Sequence, residues 1–359
     1  MSSEDERIIK CDGDIEELRE RYKDGLHFVV GDVHGQLQTL KDLLAKVGYD
    51  AEKDHVFFLG DYVGGDNGGD VPQLISFLSS HYEADYEKPG FHLIRGNHER
   101  ELADDYPLPN LPDIIVVRAK NLNFFLVHAG MVTIAFDVIN RNMEASPEQK
   151  VFAYRIEGSY KEGDPLRQII WSKDGLYSHS SKEHVWPSEE SLNKNRACIV
   201  HGHSPYCCFQ TPHGFTYGSN NVFWENQHVL FCEDLQSFNL DSNIKGRTCN
   251  GRSYRGLACL CLEVCEEVAS MNESGKLTIE GFRTRKNGVF GASFVRTPRK
   301  KVIGDCSKLL SATPMMKSLY VLDGVPHIRS IPTPRATPPP PSPSSSCSEK
   351  GEKKKTLQS

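Results

Sequence analysis

Six residues in five short motifs have the types needed to hold metal ions. They are Asp32 and His34 in Gly31-Asp32-Val33-His34-Gly35, Asp61 after Gly60, Asn97 in Gly96-Asn97-His98-Glu99, His128 before Ala129-Gly130, and His203 closing His201-Gly202-His203. Carboxylates and a neutral amide oxygen suit ions such as Mn²⁺, whereas imidazole raises affinity for Fe or Zn. Six such donors suffice for two ions that share one carboxylate. Two divalent ions about 3.5–4 Å apart ionise water near neutral pH and clamp a phosphoryl group for in-line displacement. The chemistry implied is hydrolysis of a phosphoester.

The elements that must position these residues are legible in the hydrophobic pattern. Leu26–Val30, Val56–Leu59 and Phe91–Ile94 read as buried strands that run into the first three motifs. Between them lie a helix from Gln36, with Leu37, Leu40, Leu43, Leu44 and Val47 at helical spacing, and another marked by Leu74, Ile75 and Leu78. This is a βαβαβ order with ligands just past each strand's carboxyl end, where open α/β sheets place their sites. Ile114–Val117 and Asn123–Val127 follow as neighbouring strands, residues 137–195 read as helix and loop, and Ala197–Val200 leads into the last histidine motif. Phe215–Tyr217, Val229–Cys232, Phe238–Leu240 and Leu257–Leu262 read as later short strands. Parallel units first and hairpin-like strands later predict an α/β fold of two packed sheets with helices outside.

At the five motifs the chain resembles the calcineurin-like metallophosphoesterases. Within them it is most similar to the branch that holds the phosphoprotein phosphatases, which act on phosphoserine and phosphothreonine, and the bacterial diadenosine tetraphosphatases. The spacings agree, with 29 residues from Asp32 to Asp61, 36 on to Asn97, 31 to His128 and 75 to His203, by subtraction of residue numbers. The resemblance covers roughly residues 26 to 263 and implies a four-layer α/β/β/α sandwich. It also implies that Asp32 and His34 bind one ion, that Asp61 bridges, and that Asn97, His128 and His203 bind the other. The ions implied are two divalent metals, Mn²⁺ first, with Fe or Zn as alternatives. His98, beside a ligand, matches the position that donates a proton to the leaving group, work suited to an imidazole at physiological pH.

The second motif departs from the family. Protein phosphatases follow its Val with Asp-Arg-Gly, whereas this chain has Gly64-Gly65-Asp66. The carboxylate that would orient His98 and the guanidinium that would fork a phosphate are both missing from their places. Backbone N–H groups of Gly64 and Gly65 can cradle phosphate; the alternative is that the pair serves only the turn. Lys173, in a Trp171-Ser172-Lys173 element resembling a Trp-x-Arg of bacterial and phage relatives, is the first candidate for the lost cation, and Arg100 the second. Lysine meets phosphate as a point charge without a bidentate fork. The insertion Lys245–Arg255 is basic and is either a substrate entrance or a solvated loop.

Three functions compete. Hydrolysis of phosphomonoesters by an enzyme similar to the Ser/Thr protein phosphatases leads. Cleavage of a dinucleoside polyphosphate or other nucleotide anhydride is the alternative, favoured by the His-Ala-Gly form of the fourth motif. An inactive metal-binding scaffold is the third, opposed by the complete ligand set.

Composition narrows the partners. The chain has 359 residues and a net charge of −6, but residues 283–359 carry +11 and the remainder −17. An acidic body argues against duplex nucleic-acid binding. No apolar run approaches the roughly 20 residues of a membrane helix. An acidic start without signal character predicts the cytoplasm or nucleus. The eleven cysteines form no paired zinc spacing and read as buried thiols, with redox sensing at Cys207-Cys208 as the alternative. The expected organisation is an extension at 1–25 with a short helix over Asp14–Tyr22, a catalytic domain at 26–282 and a tail at 283–359. The tail is basic and Pro/Ser-rich, so disorder is expected there. Its Thr-Pro and Ser-Pro pairs suit proline-directed kinases, and its proline run suits polyproline-binding domains. Phosphorylation would weaken any docking of that tail on the acidic body.

Overall fold

The computed structural model describes residues 18–64, 70–101, 111–157, 169, 186–203, 223–224, 229–232, 236–241, 248–249, 252–253, 256–268, 270–271, 277–278, 292–296 and 327–330. Lys173, Gly65, Asp66, Cys207-Cys208, the strand expected at Phe215–Tyr217 and the Thr-Pro and Ser-Pro pairs lie outside the described residues. Of the short N-terminal helix, residues 18–21 are helical.

Strands β1 (His27–Val30), β2 (His55–Phe58) and β3 (Gly90–Leu93) are parallel neighbours, joined by helices α1 (Leu37–Lys46) and α2 (Val71–His81). Helix α3 (Asn97–Glu101) begins one short loop after β3. Strands β4 (Ile114–Arg118) and β5 (Asn123–Val127) form a hairpin, and helix α4 (Thr133–Ala145) and strand β6 (Val151–Glu157) follow. Helix α5 (Glu189–Lys194) leads into β7 (Ala197–His201), which pairs parallel to β5. Then come β8 (Phe223–Trp224), β9 (Val229–Cys232) and β10 (Ser237–Asn239), with β10 parallel to β7. Two short ladders, β11 (Thr248–Cys249) with β12 (Arg252–Ser253) and β14 (Ser270–Met271) with β15 (Leu277–Thr278), flank β13 (Gly256–Cys261) and helix α6 (Leu262–Val268). Strands β16 (Ala292–Arg296) and β17 (His327–Ser330) complete the order.

Two sheets result, β16-β13-β1-β2-β3 and β17-β6-β4-β5-β7-β10-β9-β8. Alternation along each strand splits its side chains between two layers, as a period of two requires. Val29, Phe57, Ile115, Phe124, Leu126 and Val200 meet between the sheets. Phe28, Val30, Phe58, Phe91 and Leu93 instead pack outward under Leu40, Leu43 and Leu44 of α1 and Leu74 and Leu78 of α2. On the second sheet Ile114, Val116, Phe125 and Ile199 pack outward under Phe136 and Ile139 of α4. The protein is thus an α/β/β/α sandwich. Its central strands read as continuous apolar runs because both faces are covered.

One buried ion pair ties the sheets together beside the site. Arg95, just past β3, donates from Nε to Asp113 Oδ1 at 2.9 Å, and Asp113 Oδ2 accepts the Ile156 N–H of β6 at 2.7 Å. Removing either partner of such a pair leaves a buried charge, at a cost of about 3–5 kcal/mol.

One expectation needs correction. Residues 137–195 contain β6, a seven-residue strand that pairs antiparallel with β4. Its segment, Val-Phe-Ala-Tyr-Arg-Ile-Glu, is β-branched and aromatic and stands between Ser146-Pro147 and Gly158-Ser159, so a strand signal is present in the sequence. Beyond Phe282 two further strands join the sheets. Strand β16 pairs with β13 from Gly256↔Arg296 to Leu260↔Ala292, and β17 pairs with β6. Short strands outside the periodic core take their conformation from an open sheet edge and show little signal of their own.

Candidate metal centre

The loops at the carboxyl ends of β1, β2, β3, β5 and β7 converge. Three of the candidate ligands, His34 (φ 45°), Asp61 (φ 52°) and His203 (φ 65°), have left-handed backbones, among five such non-glycine residues in the described part. Left-handed φ in a non-glycine residue is costly and persists where the surroundings enforce it, commonly at functional sites. Here each sharp turn follows a strand closely and redirects the next side chain across the sheet ends.

Glycines allow the loops to approach. A side chain on Gly60 would place Cβ 2.6 Å from Gly96 Cα and 2.9 Å from His128 Nδ1. One on Gly202 would collide with the Asp32 carboxylate. Glu99 then locks the second loop to the third. Its buried carboxylate accepts the N–H groups of Asp61 (2.7 Å), Tyr62 (2.8 Å), Val63 (3.1 Å) and Gly96 (2.9 Å). Burial pushes its pKa up, and these four donors oppose the shift. In the sequence Glu99 stands only as the last letter of Gly-Asn-His-Glu.

Around Asp61 the donor atoms form two groups. The ligand atoms of His34, Asp61 and His98 lie within 4.8 Å of one another, as do those of Asp61, His128 and His203. Asp61 Oδ1 is 3.4 Å from His128 Nε2, and Oδ2 is 3.7 Å from the Nε2 atoms of both His34 and His98. Asp32 Oδ2 lies 3.7 Å from His34 Nε2, and the Asp32 carboxylate also accepts the His203 N–H at 3.0 Å. The structure therefore brings all six expected ligands together but places His98 as close to the first group as Asp32.

The donor set fits cations. His128 Nδ1 donates to the Leu59 carbonyl at 2.7 Å, and His34 Nδ1 donates to the Gly64 carbonyl at 2.9 Å. Each ring then turns an unprotonated Nε2 toward carboxylate oxygens, lone pair against lone pair. Asn97 Oδ1 adds a further acceptor, 3.0 Å from His128 Nε2, and His203 Nδ1 lies 3.1 Å from the same atom. Reversing the Asn97 amide would let its nitrogen donate to Asp61, His128 and His203 at 2.9–3.3 Å. A proton donor relieves the crowd in one orientation, and a cation does so in the other. Convergent acceptors of this kind are what a metal site presents.

Other expected residues take clear places. Gly64 (φ 79°) lies directly against the His98 ring, so a Cβ there would be 2.5 Å from Nδ1. Arg100 is half-buried on α3, and its N–H donates to Gly96 O at 3.3 Å. His201 is buried beside Trp186, and burial lowers its pKa to about 4, so it remains neutral. Cys198, Cys259, Cys261 and Cys265 are buried free thiols, and burial raises Cys198, Cys261 and Cys265. Among the described residues no helix is long and apolar enough to cross a membrane.

A sandwich with carboxylate and imidazole ligands gathered on one shared aspartate is the architecture of metal-dependent phosphoric ester hydrolases. The calcineurin-like phosphoesterase profile matches residues 28–236, and the chain belongs to that family. A symmetrical bis(5'-nucleosyl)-tetraphosphatase of Shewanella sp. strain MR-4 is 26% identical over 216 residues, which cover 52% of this chain and 73% of that protein. One from Serratia proteamaculans strain 568 is 32% identical over 215 residues, covering 52% and 70%. Among solved structures, a Saccharomyces cerevisiae protein serine/threonine phosphatase is 14% identical, with a TM-score of 0.42 over 79% of this chain and 84% of that one.

Proposed function

We propose that the chain is a two-metal hydrolase of phosphoric anhydrides, of the dinucleoside polyphosphate class. The observation that carries the two-metal chemistry is Asp61, with one carboxylate oxygen turned toward each ligand group. Sequence alone favours phosphomonoesters. The tetraphosphatase relatives support the opposite order.

Asp32 and His34 would hold one ion, Asn97, His128 and His203 the other, and Asp61 both. When bound, two such ions supply an ionised water and a clamp on the phosphoryl oxygens. Backbone N–H groups of Gly64 and Gly65, with Lys173 and Arg100 as cations, are the proposed substrate contacts. His98 is the proposed proton donor to the leaving oxygen. His34 and His128 are fixed through backbone carbonyls, whereas the His98 side chain is 28% exposed. Water access lets an acid regain its proton between turnovers.

His98 also supports a second reading. An alkoxide leaving from phosphoserine or phosphothreonine needs protonation far more than a nucleotide phosphate does, so a retained acid favours monoesters. Turnover with Mn²⁺ on diadenosine tetraphosphate, a phosphothreonine peptide and p-nitrophenyl phosphate separates the two. The proposal expects kcat/KM at least about tenfold higher on the tetraphosphate, and loss of activity on chelation. A faster phosphopeptide reaction establishes the second reading. Full activity after chelation rules out both.

A further inference from the structure

We infer that Glu101 is a positioning residue for His98, in place of the aspartate that the second motif lacks. The inference deepens the proposed function, since it rests on His98 as proton donor. In the resembled phosphatases a carboxylate beside that histidine comes from the position of Gly64. Here the position is closed. A Cβ on Gly64 would lie 2.5, 2.7 and 2.8 Å from Nδ1, Cγ and Cε1 of His98, so the ring itself occupies the space.

A carboxylate approaches from the other side. Glu101 lies one helical turn after His98 on α3, and its Oε2 is 3.8 Å from His98 Nδ1. His98 Nε2 points the opposite way, toward Asp61 Oδ2 at 3.7 Å. The His34 ring meets His98 edge-on at 5.5 Å between centroids. With Glu101 facing Nδ1, that nitrogen keeps its proton and the ring is turned with Nε2 toward the reacting centre, where a proton taken up from water can pass to the leaving oxygen. A donor needs that orientation, because only the nitrogen that faces the leaving oxygen can protonate it.

The arrangement also explains why a short helix carries both groups. Residues three apart on a helix are neighbours, so α3 presents Asn97 and His98 at its start and Glu101 on the His98 side. The Glu101 side chain is 53% exposed, so water screens the pair and its worth is modest.

The test uses the full chain loaded with zinc, which keeps nuclear resonance lines sharp. Long-range ¹H–¹⁵N spectra report which ring nitrogen of His98 carries the proton. Glu101→Leu is expected to move that population away from Nδ1–H, while Glu101→Gln, which keeps an acceptor, retains part of it. Rates are then compared on phenyl phosphate, a poor leaving group, and p-nitrophenyl phosphate, a good one. Glu101→Leu should cost about twofold to fivefold on the poor leaving group and less on the good one, the scale of a water-exposed ion pair. In a His98→Asn background the same change should add nothing. An unmoved tautomer, or an equal loss on both substrates, overturns the role of Glu101. If His98→Asn itself costs the same on both substrates, the proton-donor reading fails and the inference falls with it. If His98→Asn shows a graded loss and Glu101→Leu does not, Glu101 alone is excluded.

Discussion

The first sheet has histidines at both ends, and the two ends use them in opposite ways. At the amino ends of β1–β3, His27 and His55 stack with centroids 4.6 Å apart, and His55 Nδ1 lies 3.0 Å from His92 Nε2. His92 Nδ1 donates to the Glu83 carbonyl at 3.2 Å, so its Nε2 accepts from His55. At the carboxyl ends of β1 in this sheet and β5 in the second, His34 and His128 also donate from Nδ1 to backbone carbonyls, but their Nε2 atoms face Asp61. One nitrogen is fixed in the same way at both ends. For His92 against His34 and His128, the partner of the second nitrogen separates a packing ring from a candidate ligand, while His27 at the amino end pairs through Nδ1 with Glu263. A neighbouring imidazole closes a hydrogen-bonded chain, whereas a carboxylate leaves two acceptors that a cation can satisfy.

The largest effect should come from breaking the ligand end. Asp61→Asn removes the charge shared by both groups. Bound metal, counted by mass spectrometry, is expected to fall from two equivalents to one or fewer. Turnover should drop by more than the roughly 10–100-fold that losing a partner of a metal ligand costs. Two retained equivalents would show that Asp61 does not bridge.

The packing end should fail in acid. Burial, with the nearby His27 and His92, lowers His55 to about 3, and burial lowers His92 to about 4. Both lie below the ordinary value near 6.5, so as pH falls the unfolded chain takes up protons first. The stability they contribute is full above about pH 6.5 and is lost as pH falls toward 4 and then 3. In chelator, which removes any contribution from bound metal, urea unfolding at pH 7 and pH 5 should differ by on the order of 2 kcal/mol. His55→Phe should lower stability at pH 7 and flatten that dependence. An unchanged slope would assign the acid sensitivity to other groups.

The smallest effect tests the boundary between the two uses. Gly64→Ala puts a methyl group against the His98 ring at a φ of 79°. Left-handed alanine costs about 1 kcal/mol or more. Displacement of the ring should reduce turnover by roughly fivefold to tenfold with metal content unchanged, the free-energy scale of that strain. Wild-type turnover would mean that the ring need not lie where it does.

Much of this was legible beforehand. The βαβαβ order and both crossover helices follow from apolar period, because a strand buried on both faces and an amphipathic helix leave strong local patterns; the six candidate ligands came from residue type and the resemblance at five motifs. Other features left little trace. β16 and β17 are ordered by the edges they join. Glu99 acts through four N–H groups from two loops, and no sequence spacing encodes that convergence. The amino-end histidines alternate with apolar residues as any core position would, so their stack was invisible.

What the sequence determined by itself is the ligand chemistry and the parallel frame that carries it, since both depend on residue type and short-range periodicity. The tertiary structure alone decided which histidines gather on Asp61 and which pair with each other, and that the His98 ring fills the space beside Gly64. Those pairings depend on distances of 3–4 Å between residues separated by turns and whole strands. Packing of the two sheets and the tight glycine contacts set those distances, and neither is written in local pattern.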